Sequence, residues 1–358
     1  MYSRILRFFG FDTLFVTTFA TLFAVGVIGV AQAWAQNGVI SFGEGNDRVY
    51  VMRGEAESAS NPRILLLPLQ PNRIRVPLDI STSGPVTVLL NGLFAVQVND
   101  IGGNLVPDAP VNIGLAADPS LPANINNGSA KFSPTGDRVA VVSPFSGTSD
   151  RGGVLVVADI VRDVNLKIIG LTNPTIVADL FDIGSPSDSN ITSDPYMGSP
   201  DFSPDGTQIV VTIYGDLWLL TLLPDGHHLD PSQPPLPLTR TVSDTEWNAV
   251  FSPDGNRIAY SGGRTRASSG LSSHSMNIFT LNLTTHNVTQ VTRRANRKSF
   301  ANYPAWSPDG ELLAFAAREL GNGANFDIFS IKADGTGTLG LLTTTGVGTQ
   351  ESFSQWGW

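Results

Sequence analysis

The chain has 358 residues, a net charge of −9, 41% hydrophobic residues and no cysteine. So acidic a chain lacks the clustered Lys and Arg that phosphate backbones require, which excludes a nucleic-acid partner. The absence of Cys excludes disulfides, thiolate metal sites, a Cys nucleophile and lipid-modified cysteine.

Arg4 and Arg7 are followed, past Asp12, by an uncharged apolar stretch over residues 13–33. Ala31-Gln32-Ala33 and Ala33-Trp34-Ala35 then offer small-residue cleavage patterns. Residues 1–35 therefore read as a Sec-type signal peptide cut after Ala35. The alternative is an uncleaved membrane anchor, because about 20 apolar residues span a bilayer. On either reading the arginines stay cytoplasmic and the rest is exported, periplasmic or secreted.

Residues 36–358 read as one all-β domain. Gly38–Phe42 and Asp47–Met52 suit the second and third strands of a sheet, with Ile64–Leu67 or Ile74–Leu78 as its fourth. Residues 82–125 suit a second sheet built from Val86–Leu90, Leu93–Val98 and their neighbours. A motif then appears in Phe132-Ser133-Pro134-Thr135-Gly136 and returns in intact form three times. The intact copies are Phe202-Ser203-Pro204-Asp205-Gly206, Phe251-Ser252-Pro253-Asp254-Gly255 and Trp306-Ser307-Pro308-Asp309-Gly310. Pro presets φ at the first corner, Asp tolerates the second and Gly accepts positive φ, so each copy turns a β-hairpin.

An apolar run follows each turn, as in Ile209-Val210-Val211 and Leu312-Leu313-Ala314-Phe315. Runs without alternation belong to strands buried on both faces. Each unit ends in Leu171-Thr172, Leu238-Thr239, Val291-Thr292 or Leu342-Thr343. A body of about 40 residues with four short strands is the signature of a β-propeller blade. The longer interval Asn173–Pro200 reads as a loop insertion preceded by an extra apolar segment at Thr175–Phe181.

Glu351–Trp358 looks like the opening of a blade with no strands after it, and strands two to four of that blade stand at the other end of the chain. Residues 353–358 are therefore expected to supply the innermost strand of the blade built from residues 38–80. Such closure removes exposed sheet edges. The expected fold is a six-bladed β-propeller, with seven blades as the alternative.

The Ser-Pro-Asp-Gly copies resemble the WD40-like PD40 repeats of TolB-type β-propellers, specifically over residues 132–358. The resemblance implies a propeller outside the cytoplasm. TolB itself serves in the Tol–Pal envelope system, where its propeller binds a lipoprotein, and the resemblance extends to a TolB-like propeller and not to that role. TolB carries an α/β domain before its propeller, and no room for one is expected after Gln36.

Strand parity puts the Ser-Pro-Asp-Gly turns on one face of the ring, here the turn face. The loops joining strands two and three, and those leading into each blade, share the opposite loop face. Variable loops on a rigid scaffold are where binding residues gather. Residues leading into blades include Asn126, Asn127, Tyr196, Glu246, Trp247, Asn302, Tyr303 and Glu351. Loops between second and third strands bring Arg264, Arg266, His274, Arg318 and Glu319. The expected rim is Tyr196, Glu246, Trp247, Arg264, Arg266, Asn302, Tyr303, Arg318 and Glu351, since aromatic and Arg residues anchor peptides. Trp247 and Tyr303 have a blander use as packing between blades.

Asp205, Asp254 and Asp309 are assigned to turn structure, and Thr135 at the equivalent place would break a metal ring. No Gly-x-Ser-x-Gly, His-Glu-x-x-His or Gly-x-x-x-x-Gly-Lys pattern occurs. His227-His228 falls on the turn face as a solvated pair. No catalytic residue, metal or cofactor is expected. The function expected is non-catalytic binding of an envelope or extracellular protein or peptide by a monomer, with membrane contact only through an uncleaved residues 1–35. The alternative is a metal-dependent propeller enzyme, of lyase or lactonase type, acting on a carbohydrate or small ester.

Overall fold

The computed structural model describes residues 39–44, 48–54, 62–66, 77–81, 85–90, 92–116, 119–122, 125–143, 153–183, 197–241, 244–264, 275–293, 301–317, 327–343 and 351–357. They form six antiparallel sheets. Blade one holds β1 (Val39–Glu44), β2 (Arg48–Arg53) and β3 (Ile64–Leu65). Blade two holds β4 (Pro77–Ser81), β5 (Thr87–Leu90), β6 (Phe94–Ile101), β7 (Asn104–Pro107) and the short β8 (Val111–Asn112). Blade three holds β9 (Ser129–Phe132), β10 (Arg138–Val142), β11 (Val154–Arg162) and β12 (Ile168–Asp179). Blade four holds β13 (Met197–Phe202), β14 (Gln208–Ile213), β15 (Asp216–Thr221) and β16 (Leu236–Pro237). Blade five holds β17 (Asp244–Phe251), β18 (Arg257–Arg264), β19 (Ser275–Asn282) and β20 (Val288–Gln290). Blade six holds β21 (Ala301–Trp306), β22 (Leu312–Ala317), β23 (Asp327–Lys332) and β24 (Gly340–Leu341).

The last strand, β25 (Glu351–Gly357), completes blade one. It pairs with β1, setting Trp356 opposite Ile40 and Gly357 opposite Val39. The ring thus has six blades, closed by the tail on the head as expected.

The core explains the unbroken apolar runs. In β22, Leu313, Phe315 and Ala317 pack with blade five, while Ala314 and Ala316 pack with blade one. Alternate residues of one strand therefore serve two neighbours, which is why neither parity is polar. Among the described residues the apolar clusters number six, one per junction between blades.

The repeated turn is held by its own side chains. Gly206 donates its N–H to Ser203 O at 2.8 Å, and Gly206 sits at φ 70°. Ser203 Oγ donates to Asp205 at 2.6 Å and accepts the N–H of Gln208 at 2.9 Å. The Ser252 and Ser307 turns repeat both bonds. In the degraded copy the carboxylate is not lost but displaced. Asp137, two residues after Thr135, accepts from Ser133 Oγ at 2.7 Å and from Thr135 Oγ1.

The Leu-Thr and Val-Thr steps also gain a reason. The hydroxyls of the half-buried Thr239 and the buried Thr292 and Thr343 accept the N–H groups of Leu217, Ile278 and Ile328 at 2.8, 2.9 and 3.0 Å. Each step thereby locks the fourth strand's end onto the start of the third.

Ile64–Leu65 is the fourth strand of blade one, the first of the two expected alternatives. Two boundaries differ from expectation, and the first is that Pro77–Ser81 opens blade two instead of ending blade one. Leu171-Thr172 lies inside β12, which continues through residues 175–179 and passes into the helical turn Leu180–Ile183. Bulges in the β11–β12 ladder let one long strand replace the expected strand and extra segment, and bury Val177, Ala178 and Leu180 against blade four.

Candidate functional site

The loop-face ends of the inner strands are bulged. The ladder slips between Gly198 and Asp201 in β13, between Trp247 and Val250 in β17, and between Asn302 and Ala305 in β21. At equivalent places, three residues before Phe251 and Trp306, Asn248 and Tyr303 take φ of 54° and 57°. L-residues rarely adopt that region, and bulges re-aim side chains near sites.

These bulges join blades five and six. Asn248 Nδ2 donates to Asn302 Oδ1 at 3.0 Å. The N–H of Tyr303 donates to Asn302 Oδ1 at 2.9 Å and to Ser261 Oγ at 3.1 Å. The Tyr303 ring packs on the cluster of Ile40, Phe42 and Met52 between blades six and one. Trp247 is half-buried and sits opposite Ser261.

Glu246 lies deeper, 3% exposed. Its carboxylate accepts from Thr239 Oγ1 at 2.6 Å and from Thr241 Oγ1 at 3.0 Å. Asp216 accepts the Thr241 N–H at 2.9 Å, and burial pushes the Asp216 carboxyl above the usual range although the Thr241 N–H and hydroxyl oppose it. Glu246 borders a cavity of about 550 Å³ between blades four and five, with Arg240, Tyr260, Asn277 and His286 in its wall, and Asp216 stands behind Thr241 of that wall. Gly262 keeps this cavity open, since a Cβ there would stand 3.1 Å from the Phe279 ring.

The remaining expected rim residues are placed less fully. Arg264 ends β18 opposite Asp244, and Glu351 begins β25 opposite Glu44; their side chains lie outside the described residues. Tyr196, Arg266, His274, Arg318 and Glu319 also lie outside them.

On the turn face, Asp205, Asp254 and Asp309 serve the turns as described. The hydrogen bond from Ser203 holds the Asp205 carboxyl below the usual range. For Asp254 burial acts in the opposite sense, but bonds from Ser252 and Asn256 prevail and lower it. His227 is not simply solvated: its Nε2 meets Asp159 of blade three at 2.8 Å, tying two blades together.

A second group, on the inner strands near the turn face, carried no motif in the sequence. Asp79 of β4 accepts the Phe132 N–H at 2.8 Å and pairs with Lys131 at 3.1 Å. Asp201 of β13 accepts the Phe251 N–H at 2.7 Å. Burial raises the Asp201 carboxyl to about 7, against the attraction of Lys131 and with the repulsion of Asp79. The available signal was positional: Asp79, Lys131 and Asp201 each precede the core residue that closes an inner strand.

TolB from Acinetobacter baumannii superposes with a TM-score of 0.53 at 14% identity, covering 89% of this chain and 66% of that one. A TolB structure from Agrobacterium tumefaciens gives 0.50 at 14% identity, covering 86% and 89%. This is a TolB-like propeller fold. The periplasmic gluconolactonase of Pseudomonas aeruginosa superposes less closely, with a TM-score of 0.46 at 12% identity, covering 88% and 98%. No family model matches the TolB-like chain, and no curated protein matches it in sequence. Among its described residues no group of three or more His, Asp or Glu gathers as metal ligands, and no helix is long and apolar enough to cross a membrane.

Proposed function

We propose that the protein is an exported, non-catalytic module that binds an envelope or extracellular protein or peptide on its loop face. The supporting observation is the pair of left-handed residues, Asn248 and Tyr303, at equivalent bulges of blades five and six. Backbone strain of this kind persists where a site needs it, and the bulges bring Asn248, Asn302 and the half-buried Trp247 to one rim. The TolB-like fold agrees with a scaffold that presents loops. The test is a pull-down from an envelope extract with the mature protein and with the Trp247→Ala/Asn302→Ala variant. Loss of a specific partner in the variant, with unchanged melting, supports the reading; equal capture overturns it.

A second reading is a hydrolytic or eliminating enzyme for a carbohydrate or small ester. Glu246 favours it, because a buried carboxyl group at the wall of a cavity suits an acid–base role. Turnover of a sugar lactone that disappears in Glu246→Gln, with metal analysis of the same sample, would select this reading over the first.

A further inference from the structure

Among the described residues, the large apolar side chains most exposed to solvent fall into two groups. Leu65, Leu236, Val288 and Leu341 lie on the short outermost strands. The other five, Ile101, Val106, Val164, Leu166 and Ile169, belong to just two hairpins, β6–β7 of blade two and β11–β12 of blade three. Both hairpins point off the turn face and overhang it. Ile160 N–H reaches Asp137 O, so the ladder of β11 and β12 runs on past the Ser133-Pro134-Thr135-Gly136 turn. Val98 N–H reaches Val86 O, so residues 99–106 likewise stand beyond β5.

The blade-three tip is rigid. Asp163 Oδ1 accepts the N–H groups of Asn165 and Lys167, each at 2.9 Å, and Arg162 holds Leu166 O at 2.8 Å. The loop so held presents Val164 97% exposed and Leu166 56% exposed, the latter at φ 64°. A Leu in that region is strained, and the strain turns no side chain inward. Ile101 is 61% exposed above Gly102 and Gly103. The corresponding tips of blades four, five and six are polar: Asp225-Gly226-His227, Thr284-Thr285-His286 and Asp334-Gly335-Thr336.

The apolar corner adjoins the place where the described chain begins. Val39 pairs with Arg53 at the turn-face end of β1. Arg53 in turn reaches Asp100 Oδ2 at 2.9 Å and Gly103 O at 3.0 Å in the blade-two hairpin. Before Val39 stand only residues 34–38 and then the uncharged apolar stretch 13–33. Five residues span at most about 20 Å.

We propose that residues 1–35 stay attached as a membrane anchor and that this corner of the turn face rests on the same lipid bilayer, with Ile101, Val164 and Leu166 in the lipid interface. The loop face then points away from the membrane. On the hairpin Arg162 is held by Leu166 O and Gly136 O and Lys167 by Asp108, while the neighbouring turns carry Asp137, Asp205 and Asp225, so the surface suited to this face is zwitterionic lipid.

The chain has no cysteine, so single-Cys variants can be labelled cleanly. Full-length Val164→Cys and Ile101→Cys, each carrying an environment-sensitive fluorophore, are reconstituted in phosphatidylcholine vesicles with a headgroup-quencher lipid. Ala116→Cys, exposed beside Leu115 on the loop face, is the control. Quenching several-fold stronger at 164 and 101 than at 116, weakening as phosphatidylglycerol is added, is the expected result. Equal quenching at the three sites, or recovery of the full-length chain entirely off the vesicles, overturns the proposal. Shielding of the 164 label before lipid is added, with a doubled mass by light scattering, assigns the corner to a second copy and overturns it too.

Discussion

The Asp201 carboxylate accepts the N–H of Phe251 at 2.7 Å, joining the inner strand of blade four to that of blade five. The inner edge of a propeller sheet has no further strand to pair with, so its N–H groups need other acceptors. Asp79 does the same for Phe132, one pair of blades earlier.

Burial of the Asp201 carboxyl sets a pH dependence. The Asp201 carboxyl ionises near 7 in the fold, through burial above all, with Lys131 and Asp79 facing it, and near 3.8 in the unfolded chain. Between those values the folded state holds a proton that the unfolded state has released, so stability falls as pH rises from about 4 to about 7 and is level above. The contribution is of the order of 2–4 kcal/mol. Asp201→Asn keeps the acceptor and removes the titration; thermal melts from pH 4 to 8 are expected to show a flatter profile for the variant. An unchanged profile would reject the assignment.

The Thr steps are not equal. Thr292→Val strands the Ile278 N–H and removes a donor from the neutral Asn277 Oδ1, and should cost about 1–3 kcal/mol. Thr239→Val strands the Leu217 N–H and also removes a donor from the buried Glu246 carboxylate, so it should cost more. Chemical denaturation should then show Glu246→Gln recovering part of the loss in Thr239→Val and none in Thr292→Val.

At the displaced turn, Thr135→Asp restores the motif on paper and should nonetheless destabilise, by about 1 kcal/mol. The new carboxylate meets Asp137, which already accepts from Ser133. Adding Asp137→Asn should return the melting temperature to that of the parent, since the Ser133 hydroxyl then has one carboxylate to bond, as Ser203 has in Asp205.

Deleting residues 351–358 removes the innermost strand of blade one and bares β1. A loss of several kcal/mol, seen as a melting temperature lower by about 10 °C or more, is expected from calorimetry. Melting within a degree of the parent would mean that the pairing of Trp356 with Ile40 contributes little.

The architecture was legible because its signals are local: Ser-Pro-Asp-Gly dictates a hairpin wherever it stands, and Trp356 keeps the spacing of Phe251 and Trp306. Blade two hid its start because Pro77–Ser81 has no such turn after it. The end of blade three misled because Leu171-Thr172 imitates a step whose partner in other blades is a third-strand N–H. The candidate site was harder to read. Glu246 and Thr239 lie in different blades, and their bond exists only once two sheets stack. Asp79, Lys131 and Asp201 are scattered through the chain, and no spacing rule links them.

The pairing of β25 with β1 has a further bearing on how the protein is made. The first sheet to leave the ribosome lacks its innermost member until the final residues emerge. Val39 through Arg53 must wait, with one flank unsatisfied, while five other sheets form. Maturation is therefore governed by the longest-range contact in the molecule, and topologies of that kind assemble slowly. An escort that shields the waiting strand would raise the yield of folded protein more than any gain in the stability of the finished ring.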